Sequence, residues 1–506
     1  MSGSSAPATF ALPDALGDAA RGWLRAHAVH ELVIGDRRTP AADGRSFETL
    51  DPASGQPIAR VAQAGPEDVD RAVCAARAAL ESGPWARLAP SARGAAIDAL
   101  ADALQQHAEE LAQLEALDNG KPVKLAQAVD VELSATHLRY FAGWPTKIEG
   151  AVLPVSAPGM LCYTRREPVG VCAQIVPWNF PLLIAIWKLA PALAAGCTVV
   201  LKPAEQTPLV ALRLAELALE AGLPPGVLNV LSGDGSTGAA LVEHPGVDKV
   251  TFTGSTAVGR EVGMKAGRDL KRVTLELGGK SAAIVLADAD VEAAVKGAYQ
   301  AIYYNSGQAC NAGSRLLVPA ERYDEVIGAL AERAARSRLG PGLEPQTQLG
   351  PLVSAAQLER VLGYIESGRE EGAEVVTGGS ATLGDSGGYY VEPTLFSVTG
   401  DELRIVREEI FGPVLVASPY KDLDEAIARA NAGEYGLAAG IWTRDLSAAH
   451  TIAARLRAGT VYVNRWGTSD PAVPFGGVKA SGVGREHGRE GLDGYLETKT
   501  VWTGLA

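Results

Sequence analysis

Between residues 169 and 267, short apolar runs alternate with amphipathic stretches. GVCAQIVPW, TVVLKP, GVLNVLSG and KVTFTG read as strands. Each precedes a helical period: one starting near Pro181, then VALRLAELALEAG, GAALVEHP and AVGREVGMKAG. This alternation predicts parallel βαβ units, whose ligands lie beyond the carboxyl ends of the strands. A second alternation begins at AAIVLADAD and runs to about residue 478. It takes in the helix DVEAAVKGAYQAIYYNSGQ and the pair EEIFGPVLVASPY and GLAAGIWTRD. Upstream, residues 28–62 carry short strand-like pieces and a DPASG turn, and residues 66–120 have helical periodicity. Residues 1–25 are expected to be a loosely attached leader. The longest apolar stretch, residues 181–200, is broken by Lys188, Gly196 and two prolines. It predicts a buried helix running into a strand, not a membrane span.

At 506 residues the chain exceeds a single hydrophobic core, so two large domains are expected. The net charge of -13 argues against nucleic acid and anionic membranes as partners. Five cysteines, Cys74, Cys162, Cys172, Cys197 and Cys310, are irregularly spaced and include no CxxC pair. That speaks against a disulfide framework or zinc site, and for a reducing compartment, the cytoplasm. The first residues have neither the basic and apolar regions of a secretory signal nor the arginines of a mitochondrial one.

Five places could carry chemistry. Gly233, Gly235 and Gly238 spell GxGxxG between a strand and a helix, and Gly254-Ser255-Thr256-Ala257-Val258-Gly259 occupies a second strand-to-helix junction. Either could hold a pyrophosphate at a helix N-terminus, or be only a tight turn. Cys310 lies in the polar stretch NSGQACNAGSR, whereas the other four cysteines have apolar neighbours and read as core thiols. Glu276 in TLELGGK could be a general base or a salt-bridged residue. Asn179 in PWNFP could donate to an oxyanion or shape a turn. On residues alone, a thiol acyltransferase or thioester hydrolase using Cys310 and a catalytically dead structural relative both stay open.

PWNFPLLIAIWKLAPALAAGCTVVLKPAEQTP, FTGSTAVG, ELGGKSA, GQACNAGSR, EEIFGPV and PFGGVKASGVGRE, in this order, resemble the aldehyde dehydrogenase superfamily over roughly residues 28–503. The resemblance is nearest to the non-acylating, broad-specificity group that includes betaine-aldehyde and aminoaldehyde enzymes. It implies an α/β fold with a doubly wound, Rossmann-like cofactor domain (1–145 and 162–278) and a second α/β catalytic domain (279–480). A small β oligomerisation segment (146–161 and 481–506) would complete it. It implies Cys310 as nucleophile, Glu276 as general base, and Asn179 with the Cys310 N–H as oxyanion hole. NAD would be bound by Trp178, Lys202, Glu205, Gly235, Gly254, Ser255, Gly259, Glu409 and Phe411, with no metal. NAD is expected over NADP, because Glu205 would face a 2′-phosphate. Phe180, Trp187, Trp466 and Phe475, with Asp470 nearby, would line the substrate tunnel. The product would be a free acid, released from a Cys310 thioester. The β-prone TKTVW near the C-terminus would be an unpaired edge in a monomer, so a homodimer or homotetramer is expected.

Overall fold

The computed structural model describes residues 10–505. Its first large sheet has eight strands. Five are parallel and lie side by side in the order Leu228–Val230, Thr198–Lys202, Val171–Ile175, Lys249–Thr253, Arg272–Glu276. Val171–Ile175, Thr198–Lys202 and Lys249–Thr253 are buried at every position, which is why they read as continuous rather than alternating apolar runs. The chain winds outward one way from Val171–Ile175, then returns to Lys249–Thr253 on its other side. The reversal opens a crevice beyond the carboxyl ends of these two strands.

The helix Pro181–Ala195 follows the first of these strands. Proline at its start supplies a preset φ, and Gly196 ends it in a left-handed conformation at φ 98°. All of its residues but Trp187 are buried, because it packs under the helices Pro90–Gln106, Glu132–Ala142 and Leu209–Glu220. The apolar stretch 181–200 is thus a core helix and strand. No helix among the described residues is long and apolar enough to cross a membrane.

A second sheet of seven strands follows the order Glu374–Thr377, Thr394–Ser397, Val414–Tyr420, Arg315–Pro319, Ala282–Val285, Ala438–Trp442, Thr460–Val463, with only the first pairing antiparallel. The third sheet pairs Leu496–Gly504 with Met160–Pro168, and the latter with Val152–Leu153. The α/β architecture expected from the alternating pattern is therefore present.

Three expectations need correction, and a fourth, the open edge, is met. Within the supposed leader, Asp18–Arg25 is a helix that buries Ala20, Trp23 and Leu24; residues 1–9 lie outside the described range. The boundary expected at residue 162 falls inside Met160–Pro168, which belongs to the small sheet over its whole length. As expected, TKTVW lies on an edge strand: Arg165, Thr164 and Tyr163 pair with Lys499, Thr500 and Val501 on one side, and the outer side is open. Cys74 is exposed, not a core thiol.

Candidate active site

Two cavities meet at Cys310, and one of them opens toward a third. The first, about 210 Å³, is lined by Cys310 and by Phe180, Trp187, Trp466 and Phe475, all four expected tunnel residues. The second, about 430 Å³, lies beyond the carboxyl ends of the parallel strands and is lined by Trp178, Lys202, Glu205, Gly235, Gly254 and Ser255. The third, about 240 Å³, joins them: Cys310, Asn179, Glu409 and Phe411 line it together with Trp178, Gly254 and Ser255.

The backbone that presents Cys310 is unusual. The helix Val291–Tyr303 stops, and Asn305 and Ser306 take left-handed conformations at φ 49° and 53°. Such strain persists only where surroundings over-determine it. Here Asn305 Nδ2 donates to Asn179 O at 3.1 Å, and Ser306 Oγ to Gly350 O at 2.7 Å. Gly307, at φ 74°, has no room for a side chain, since a Cβ would stand 2.0 Å from Gly412 O. The Asn179 side chain donates to Gln308 O at 3.0 Å, which leaves its second N–H for the joining cavity.

Burial pushes the Cys310 thiol up to about 12, with Glu276 and then Glu409 adding to the effect. Burial also holds the Glu276 carboxyl well above the usual carboxylate range, reinforced by Glu486 and opposed by Lys188 and Arg485. Neither Glu276 oxygen has a hydrogen-bond partner among the described residues. Glu276 lines none of the three cavities; its Oε1 is tucked against Gly476, where a Cβ would come within 2.5 Å. Beside it, Lys188 Nζ donates to Glu486 Oε1 at 2.5 Å, both groups buried.

Two helices start at the large groove. Ser255 caps Thr256–Arg268 and Asp234 caps Gly235–Glu243, so both direct free N–H groups and a positive dipole end toward it. Gly235 has open space where a Cβ would stand, as a closely approaching ligand requires. Lys202 reaches Glu205 at 3.4 Å at the rim. Glu409 Oε1 accepts from Gly279 N at 2.8 Å, and burial raises its carboxyl to about 7. Phe411, itself at φ 63°, meets Trp178 edge-to-face at 5.2 Å. Gly259 follows one turn into the helix that Ser255 caps. It lines no cavity, and a Cβ there would lie 2.2 Å from Leu277 Cδ2, so it lets the helix pack closely on that side chain. Asp470 also lies off the tunnel wall; its carboxylate accepts from Ala472 N at 2.8 Å.

The sequence missed several neighbours. Tyr304 stacks on Phe180 at 5.9 Å, and the buried Lys121 ammonium sits 4.1 Å from the centre of the same ring. Lys121 bonds Glu115 and Asp130, each at 2.8 Å. Arg360 and Gln357 line the joining cavity from a helix far along the chain. Only Tyr304, six residues before Cys310, carried a signal by proximity.

The family model described as the aldehyde dehydrogenase family matches residues 39–501. The chain belongs to the aldehyde dehydrogenase family. Among relatives, a mitochondrial aldehyde dehydrogenase of Leishmania tarentolae is 51% identical over 477 residues, covering 94% of this chain and 95% of that one. A phenylacetaldehyde dehydrogenase of Pseudomonas fluorescens is 50% identical over 479 residues, 93% and 95% of the two chains. The NAD+ complex structure of an aldehyde dehydrogenase from Bacillus cereus superposes with a TM-score of 0.95 at 49% identity, covering 97% of this chain and 99% of that one. Family membership accounts for the six sequence blocks. The cavities add where those blocks meet in space.

Proposed function

We propose that this aldehyde dehydrogenase uses NAD to oxidise an apolar, aromatic aldehyde to the free acid through a thioester on Cys310. The observation that carries this is the position of Cys310, shared by a largely apolar cavity and by the cavity that opens into the large groove. The groove suits a dinucleotide: two helix N-termini for the pyrophosphate, Glu205 for ribose hydroxyls, and Glu409 and Phe411 at the far end. When bound there, NAD supplies the hydride acceptor.

The chain's own residues do the rest. Cys310 as thiolate adds to the aldehyde carbon, and the new oxyanion receives hydrogen bonds from Asn179 Nδ2 and the Cys310 N–H. Such donors, aimed where charge develops, contribute about 3 kcal/mol each. Collapse of the oxyanion with loss of hydride leaves a thioester. Glu276 takes a proton from water, which adds to the acyl carbon and expels the Cys310 thiolate. Burial raises the proton affinity of the Glu276 carboxyl, the direction that a general base requires. Lys188 and Glu486 stand behind it as the next polar groups.

The substrate cavity contains aliphatic Val129, Leu133, Leu183 and Ile184 beside the aromatic rings, and no carboxylate lines it. A cation of the betaine-aldehyde type would have only ring faces to attract it there, and on that ground the aryl aldehyde is favoured. Followed by absorbance of NADH, kcat/KM for phenylacetaldehyde is expected to exceed that for betaine aldehyde by about 10–200-fold. The reverse order would overturn the substrate class, and no NADH with any aldehyde would overturn the activity. With a fixed aldehyde, NAD should be used about tenfold more efficiently than NADP or better, since Glu205 opposes a 2′-phosphate that Lys202 only partly offsets. Equal efficiency with NADP would refute that role for Glu205.

The outer edge of Leu496–Gly504 is unpaired, and Trp502 on that strand and Leu505 just after it are exposed. This supports a dimer or tetramer built on the small sheet. Light scattering after size exclusion should give a multiple of 52.5 kDa; a monomer alone would rule it out. The five unpaired cysteines favour a reducing compartment such as the cytoplasm.

A further inference from the structure

Behind Gly279, away from the cofactor groove, lies a separate small cavity at the amino ends of the strands Ala282–Val285, Arg315–Pro319 and Ala438–Trp442. Lys280 and Ser281 line it. Both are buried, and neither Lys280 Nζ nor Ser281 Oγ has a hydrogen-bond partner among the described residues. Arg315 and Arg457 also line it, and no carboxylate does. Arg315 is anchored by donating to the carbonyls of Lys280, Arg429 and Ala430 at 3.0, 2.9 and 3.0 Å. Lys479 adds a further positive charge close by, its ammonium proton loosened first by burial and then by Arg457 and Arg315.

A buried ammonium without a partner is costly, and like charges around it raise the cost. Glu409, the acid whose field most favours the Lys280 charge, is engaged by Gly279 N on the cofactor side. The cavity has about 10 Å³, on the order of what a single water-sized occupant needs. Water would satisfy hydrogen bonds there but would leave the cluster of positive charge uncompensated.

We propose that this cavity binds one small monovalent anion of halide size, held by Lys280 Nζ and Ser281 Oγ within the field of Arg315, Arg457 and Lys479. Burial and Arg315 lower Lys280 to about 7 in the empty cavity; an anion beside it would keep the ammonium charged. Glu409 would feel that charge, since Lys280 is among the groups that favour its ionised form.

Bromide is the probe. Crystals of the full chain held in about 0.1 M bromide should show an anomalous peak in contact with Lys280 Nζ and Ser281 Oγ. In solution, chloride or bromide should raise Tm by about 1–2 °C over gluconate at equal ionic strength, as expected of a ligand that binds only the folded state. Lys280→Gln should lose both the peak and the shift; if it does not fold, Ser281→Ala should weaken both. Both wild-type results are required, and the lack of either overturns the proposal. So does a halide shift that survives in the variant. A peak seen only at molar bromide, with no Tm dependence, would mean an adventitious ion only and would overturn it as well.

Discussion

Cys310→Ala is expected to lower aldehyde oxidation by about 10⁴-fold or more, because no other group can form the covalent intermediate. Cys162, Cys172 and Cys197 are buried in or beside strands, and Cys74 lies on the outer face of a helix, so none reaches the substrate cavity. NAD binding, measured by protein fluorescence quenching or calorimetry, should change little, since Cys310 touches only the inner end of the joining cavity. The same thiol, pushed up to about 12 in the unliganded site, should react slowly with iodoacetamide at neutral pH. Its alkylation rate should climb as pH rises, with no plateau below pH 10. Near wild-type turnover in Cys310→Ala would remove the covalent mechanism altogether.

Glu276→Gln separates the two halves of the reaction. Addition to the aldehyde and loss of hydride need the thiolate and the oxyanion donors; hydrolysis of the thioester needs an activated water. Loss of a general base costs up to about 10⁴-fold in steady turnover. Rapid mixing with NAD and aldehyde should therefore give a burst of NADH approaching one per site, followed by slow release. Intact-mass measurement should find the acyl group on Cys310. If Glu276 also draws the proton from Cys310, the burst will be slower at the same amplitude. The fold should not suffer. A carboxyl whose proton affinity is raised by folding opposes stability as pH rises through its unfolded value, and the amide carries no such penalty. Wild-type turnover with no adduct would make Glu276 a bystander.

The parts of this site legible in the sequence were those set by local chain chemistry. The parallel strands stood out because burial on both faces leaves no polar positions in them. Cys310 stood out because a thiol in a polar, glycine-containing stretch has no core to join. Cys74 was misread although its helix held the answer: Val69, Ala72, Val73, Ala76 and Ala79 form the buried stripe, and position 74 falls off it. The packing of Gly259 on Leu277 was not legible, because strand-to-helix spacing identifies a helix start but not what packs against its second turn. The helix Asp18–Arg25 was overlooked because two large residues, Trp23 and Leu24, anchor an otherwise small and polar segment. Two things could not be read at all. Glu276 is unpaired because of residues packed round it from elsewhere in the chain. The Lys121 ammonium finds the Phe180 ring only after folding.

The pairing of Lys188 with Glu486 joins positions 298 residues apart. During synthesis the lysine and the helix that carries it emerge first, and the carboxylate follows 298 residues later. Until then the future core holds an ammonium with nothing to offset it, and the segment 475–488 that closes over Glu276 is not yet in place. A prematurely released product therefore lacks a native interior to settle into. The surroundings of Glu276 are therefore complete only once that later segment has been made.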